Sequence, residues 1–227
     1  MKSLISSLFF AAALCAQVAS DANTGYRTPE QRNNMAASLT RPGRDATQKP
    51  VELVAALDLK PGMTVADVGT GGGYMLPHLS RAVGPSGRVL AEDIFDEFLG
   101  KAKEKAQAEQ LANVEFIKGT ERDPNLPENS VDVALTLDAY HHYDYPTEML
   151  TGIRRSLKPG GRLVIVDFYR RKGAMGSNRD PEFALKHIRV DQDELIKEVE
   201  SNGFRLVSKR EHIPNSQYMV TFEKSVQ

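Results

Sequence analysis

The chain has 227 residues, 41% of them hydrophobic, with 29 Lys and Arg against 30 Asp and Glu and a formal net charge of −1. That length and apolar content suit one α/β domain with a large core. The balance lacks the clustered basic excess of a nucleic-acid footprint, and a single cysteine, Cys15, excludes an internal disulfide framework.

The N-terminus reads as a leader. Lys2 precedes the apolar run Leu4 to Leu14, and Val18-Ala19-Ser20 supplies small or permitted residues before Asp21. This pattern predicts a secretory signal peptide over 1–20, hence an exported (periplasmic or secreted) protein. The apolar run is short for a membrane span, so no stable membrane insertion is expected after cleavage; an uncleaved anchor is the alternative. Residues 21–48 are polar and irregular, with one short helix expected over Glu30–Ser38. They form an N-terminal arm, either a lid over a ligand cleft or a solvated leader. Arg44 and Asp45 are its most interesting residues.

From residue 49 to 227 the pattern is that of a folded domain. Pro50 suits a first helical turn, and Val51, Leu53, Val54 and Leu57 form an apolar stripe before Lys60-Pro61-Gly62. Strands are expected at Met63–Val68, Arg88–Ala91, Asn113–Ile117, Val131–Leu137, Arg162–Phe168, Phe204–Arg210 and Ser216–Phe222. Helices lie between most of them: after Gly73, over Asp96–Gln110, after Pro146, and after Asp191, where Glu194 completes a capping-box pattern. The nearly continuous apolar run of Val131–Leu137 suits a strand buried on both faces of a parallel sheet. Tyr169 to Pro181 reads as a basic loop, covering substrate or simply solvated.

The chemistry concentrates at the end of the first strand, in Asp67-Val68-Gly69-Thr70-Gly71-Gly72-Gly73-Tyr74. Glycines at 69, 71 and 73 permit a sharp turn and close backbone approach to a ligand, and the following helix N-terminus favours an anionic group. A dinucleotide fingerprint requires glycine where Tyr74 stands. Asp93, 20 residues past Gly73, ends the second strand, where an acid can accept both hydroxyls of a ribose; Glu92 is its neighbour.

The Asp67-to-Gly73 segment resembles the D-x-G-x-G-x-G loop of class I S-adenosylmethionine (SAM)-dependent methyltransferases. Asp93-Ile94, Leu137-Asp138-Ala139-Tyr140-His141-His142, Lys158-Pro159-Gly160-Gly161 and the final pair of strands extend the likeness over residues 49–227. It is similar to the quinone- and sterol-methylating type and to a group of exported bacterial methyltransferase-like proteins. The resemblance implies a Rossmann-like seven-stranded sheet with a terminal antiparallel β-hairpin, helices on both faces, and SAM as cofactor. It implies that Asp67, Gly69, Thr70, Gly71, Gly73 and Tyr74 meet the amino-acid moiety, that Asp93 binds ribose and Ile94 packs on adenine, and that Asp138 lies near the methionine ammonium. The family's usual acid toward the adenine amino group is replaced by Thr120, with Glu121 or Asp123 as substitutes.

Methyl transfer from a sulfonium needs alignment and exclusion of water more than covalent help; a base matters only if the acceptor is still protonated. His141 and His142 are the candidate bases and Tyr140 a candidate orienting group, against the alternative that each histidine is simply packed. Tyr140, His141, Arg170, His187 and Arg189 are candidate acceptor contacts. His141, His142 and Asp144 could also suggest a metal site, but no metal is assigned, because adjacent histidines project differently and no distant His/Asp pair stands at a ligand-like spacing. The expected function is methyl transfer to a small-molecule acceptor. A non-catalytic SAM- or nucleoside-binding protein and an NAD-dependent oxidoreductase are the alternatives, the latter disfavoured by Tyr74 and the terminal strands.

Overall fold

The computed structural model describes residues 17–225. Most of the expected signal peptide, residues 1–16, lies outside the described residues. Among those described, no helix is long and apolar enough to cross a membrane.

The domain is a seven-stranded sheet sandwiched between helices. β1 (Thr64–Val68), β2 (Arg88–Asp93), β3 (Val114–Lys118), β4 (Val131–Leu137) and β5 (Leu157–Phe168) run parallel. β6 (Phe204–Ile213) and β7 (Gln217–Lys224) are antiparallel to each other, and β7 is antiparallel to β5. The order is β3-β2-β1-β4-β5-β7-β6. The expected seven-stranded architecture and its terminal antiparallel pair are therefore present.

Alternation explains the layering. In β5, Leu163 and Ile165 face one apolar cluster while Val164 and Val166 face the other, as the period of two requires. The first face is covered by α6 (Pro146–Ser156) through Leu150 and Ile153, and by α8 (Gln192–Ser201) through Leu195 and Val199. The second is covered by α3 (Pro50–Leu57) and α4 (Leu76–Val83), with Ala102 of α5 (Asp96–Ala108). Each buried Leu or Ile stabilises the fold by about 1.5–3 kcal/mol relative to exposure. The capping box read from Asp191 and Glu194 forms at the start of α8.

Several boundaries shift from the sequence reading, β2 and β6 running on to Asp93 and Ile213, and two of the shifts lie near the glycine turn and β5. The helix after the glycine turn begins at Leu76, because Gly73 to Met75 still belong to the turn. β5 begins at Leu157, pairing with Val131 before Lys158–Gly161 bulge out and the register resumes at Val133 and Arg162. Helix stop and strand start are thus one continuous extended segment.

The arm is folded. After a 3₁₀ turn at Ala22–Tyr26 comes α1 (Pro29–Leu39), capped by Thr28 and Gln31, then α2 (Arg44–Gln48). Arg32 forms a two-point ion pair with Glu97 of α5, at 2.9 and 3.0 Å. Gly72 lies under α1: a Cβ there would sit 2.6 Å from Thr40 Cγ2. The segment 169–190 folds around a small cluster of Ala174, Ala184 and Ile188 and carries α7 (Phe183–His187).

Candidate active site

In open α/β sheets the ligand crevice lies beyond the carboxyl ends of the strands. Here the ends of β1, β2 and β4 open into a cavity of about 410 Å³. Asp67, Asp93 and Asp138 bring one acid from each of those ends, and Glu92 adds a fourth. The arm closes the opposite side with Asn23, Tyr26, Leu39 and Arg44.

The glycine turn is held by the acids it follows. Asp67 Oδ2 accepts from Thr70 Oγ1 at 2.7 Å. Asp93 accepts from Gly71 N at 2.9 Å and from Phe95 N at 3.0 Å. Glu92 Oε2 accepts from Gly69 N at 3.2 Å, while its Oε1 is buried without a partner. Gly69 has φ +78°, and a Cβ there would stand 2.7 Å from Ala139 Cβ, so both conformation and space require glycine. Gly73 faces away from the cavity: its Cβ would meet Ala102 of α5 at 3.0–3.1 Å. Its role is helix packing rather than the cofactor contact expected for it.

Burial raises the acids. Asp93 is pushed up to about 7, with its backbone donors opposing and Asp67 reinforcing the shift. Asp67 and Asp138 rise to about 6 for the same first reason. Glu92 is held well above its usual range by burial and by Asp93. Such a cluster stabilises cationic or hydroxyl-bearing ligands and resists anionic ones.

Asp138 occupies the left-handed region at φ +54°, which costs roughly 1 kcal/mol or more. Its carboxylate is held by Gln48 Nε2 at 2.7 Å, Arg44 Nη2 at 3.4 Å and Gln217 Nε2 at 2.5 Å. Tyr74 reaches the arm, donating to Asp45 Oδ1 at 2.8 Å, with the Arg44 guanidinium 4.2 Å above its ring.

Residues 66–165 match the methyltransferase domain family. The crystal structure of a SAM-dependent methyltransferase from Aquifex aeolicus is 31% identical, covers 84% of this chain and 97% of its own, and superposes with a TM-score of 0.75. The chain belongs to the class I SAM-dependent methyltransferases. The ubiquinone/menaquinone biosynthesis C-methyltransferase of Pseudomonas putida (strain GB-1) is 26% identical over 155 residues, 68% of this chain and 60% of that protein. An uncharacterized 37.1 kDa protein in transposon TN4556 of Streptomyces fradiae is 38% identical over 113 residues, 50% of this chain and 32% of that protein. The chain therefore spans 32% and 60% of the length of these two curated relatives.

The cavity of this methyltransferase fits SAM. Its size lies in the usual range for small-molecule sites of about 300–1,000 Å³. The raised acids Asp67, Asp93 and Asp138 line it and offer acceptors to a ligand bearing hydroxyls and positive charge. Asp67, Gly69, Thr70, Gly71, Tyr74, Asp93, Ile94, Thr120, Glu121, Asp138 and His142 all line it. Thr120 is committed elsewhere: its hydroxyl donates to Asp123 O at 3.2 Å and accepts from the Arg122 and Asp123 amides. Asp123 in turn pairs with Arg155.

Several expected contacts fall outside the cavity. Tyr140 is buried in the cluster covered by α6 and α8 and donates to Glu198, which also pairs with Arg189 at 2.6 and 2.8 Å. Neither Tyr140 nor Arg189 lines the cavity. Arg170 is spent on Ile188 O at 2.9 Å. His141 is buried against Asp167, 2.7 Å from Nδ1 to Oδ1. Of the candidate bases, only His142 reaches the cavity, and its surroundings hold its pKa well below the ordinary value through burial and the neighbouring His141 and His187.

Residues the sequence reading did not single out are Asn23, Tyr26, Gln48, Asp167 and Gln217. Asp167 had a signal, a lone acid ending the apolar run of β5. Asn23, Tyr26 and Gln48 sit in the polar arm, where no local pattern marks them. The sequence reading also assigned no metal, finding no distant His/Asp pair to join His141 and His142. The structure brings His187 of α7 to His141 and His142, with one ring nitrogen from each lying within 4.8 Å of the others.

Proposed function

We propose that this chain transfers the methyl group of SAM to a small-molecule acceptor entering beside His142. The observation that carries the reading is the convergence of Asp67, Asp93 and Asp138 on one cavity around the glycine turn. Bound there, the cofactor supplies an electrophilic methyl on a sulfonium. Asp93 accepts the ribose hydroxyls, each such charge-assisted bond contributing roughly 1.5–3 kcal/mol. Asp67 and Asp138 face the amino-acid end, and Ile94 packs on the base. Tyr26, Phe95 and Phe98 form an aromatic wall, with ring centroids 5.7–6.1 Å apart, that excludes water and suits a planar acceptor. The relationship to a C-methyltransferase of ubiquinone and menaquinone biosynthesis supports a ring acceptor of that kind.

In this reading the arm acts as the lid, and the protein is exported through its N-terminal leader. Support for export is the sequence pattern of residues 1–20. Cleavage before Asp21 would remove the Val18 and Ala19 amides that donate to Asp144, at 3.2 and 3.1 Å, and would leave Asn23 Nδ2 on its other oxygen at 3.1 Å.

Calorimetric titration of the chain, with and without residues 1–20, against SAM, S-adenosylhomocysteine and NAD tests the cofactor assignment. Saturable binding of the first two and not of NAD is expected. Binding of NAD alone, or of none, would overturn it.

A further inference from the structure

We propose that His141, His142 and His187 form a divalent transition-metal site of the zinc class, open at its fourth position and adjoining the cofactor cavity. Nothing in the methyl-transfer reading requires it, and it stands on a separate set of contacts.

The three ligand atoms come from two distant segments. His141 and His142 lie on the 3₁₀ turn after β4 and His187 ends α7. Their ring centroids are 4.1, 5.0 and 5.3 Å apart. Zinc–imidazole bonds of about 2.0–2.1 Å in a tetrahedral site place nitrogens about 3.4 Å from one another. The nitrogens lie within 4.8 Å of one another, so small side-chain rotations must draw them in around an ion.

The outer contacts fix which nitrogen of each ring is free. His141 donates from Nδ1 to Asp167 Oδ1 at 2.7 Å. Asp167 itself is buried and accepts from the His141 amide at 3.0 Å and the Phe168 amide at 2.8 Å. The carboxylate cannot turn away, so Nδ1 of His141 is engaged and Nε2 is the nitrogen left to meet an ion.

His142 is oriented by a second device. Asn23 Nδ2 donates to His142 O at 3.0 Å and to Asp144 Oδ2 at 3.1 Å. Those two acceptors settle the amide orientation, leaving Asn23 Oδ1 toward His142 Nδ1 at 2.9 Å. An amide oxygen only accepts, so Nδ1 is the protonated nitrogen and Nε2 carries a lone pair, met at 3.4 Å by Tyr26 Oη. His187 stacks on Phe183, with centroids 4.8 Å apart, and among the described residues no hydrogen bond engages its ring.

Metal-bound histidines commonly donate their other nitrogen to a carboxylate or carbonyl oxygen, which sets the tautomer and strengthens the ligand. Here two of three rings carry that support before any ion is considered.

Three protein ligands plus one open position is the pattern of reactive rather than structural zinc sites. Of the three rings only His142 lines the cavity, where Tyr26 Oη stands 3.4 Å from its Nε2; an ion displaces that hydroxyl, and the fourth position it vacates faces the cavity. If the cavity is the acceptor site, a ligand hydroxyl or thiol entering there would bind the ion as its conjugate base, its proton passing to solvent.

The test is titration of the chelator-treated full chain with Co2+. One equivalent should give the visible spectrum of a tetrahedral nitrogen-ligated ion, displaced by Zn2+ and perturbed by added azide at the open position. His187→Ala should abolish the band while S-adenosylhomocysteine binding persists, which shows that the variant is folded. Asp167→Asn should weaken Zn2+ binding by about 10–100-fold. No saturable binding, or an unchanged spectrum in His187→Ala, would overturn the site; an azide-insensitive spectrum would overturn its open position. Loss of cofactor binding with the cobalt spectrum intact would count against methyl transfer alone.

Discussion

The floor and the roof of the cavity are built by different means. The floor is the strand ends: the Gly69 and Gly71 amides are tied to Glu92 and Asp93 by bonds of 3.2 and 2.9 Å, and Asp67 to Thr70 at 2.7 Å. These contacts join neighbouring parallel strands whose register fixes them. The roof is the arm, joined to the rest by side chains: Arg32 on Glu97, Arg44 and Gln48 on Asp138, Tyr74 on Asp45. A backbone-anchored floor unfolds only with the sheet, whereas a side-chain-anchored roof can open locally at lower free energy. A pocket that must admit two substrates benefits from that asymmetry.

The largest expected effect lies in the floor. Asp93→Ala should weaken S-adenosylhomocysteine binding by about 100-fold or more in calorimetry, from the loss of two charge-assisted bonds of roughly 1.5–3 kcal/mol each. Gly69→Ala should lower the thermal midpoint with a cost of about 1–3 kcal/mol, since its φ is +78° and its new Cβ would lie 2.7 Å from Ala139.

A pH effect comes next. Asp93 titrates near 7 in the free protein because burial disfavours its charge. Only the ionised form accepts both ribose hydroxyls, so binding below that pH must release a proton. Affinity should therefore fall by about tenfold per unit as pH drops below about 7, and Asp93→Asn should flatten the profile. An unchanged slope in that variant would assign the proton to another acid.

The roof should respond less. Gly72→Ala places a Cβ 2.6 Å from Thr40 Cγ2 and 3.3 Å from Ala36 O. It should lift the arm, speeding proteolysis within residues 17–48 and cofactor dissociation while leaving the thermal midpoint nearly unchanged. A fall as large as that of Gly69→Ala would erase the distinction between floor and roof. Smallest is Arg32→Ala, which cuts the pair with Glu97 and should raise hydrogen exchange in α1 with no change in the strands.

The sheet was legible because its signals are local. Val131–Leu137 reads as a buried strand from its own composition and is one. The acids at 67, 93 and 138 fall at strand ends because the chain must turn there. The departures share one cause, contacts made over long sequence distances. Tyr140, two residues from the cavity-lining His142, turns to Glu198 instead, since a 3₁₀ turn sends successive side chains about a third of a revolution apart. Gln48 and Gln217 converge on Asp138 from opposite ends of the chain, and no window of sequence contains them together.

By itself the sequence determined the strand order's raw material, the glycine turn and the acids that follow from it, because apolar periodicity and backbone freedom act within a few residues. Only the tertiary structure decided that the arm roofs the cavity, that Thr120 is spent on its own turn, and that His187 joins His141 and His142. Those outcomes depend on side chains meeting across the packed layers, where distance in the chain carries no information about distance in space.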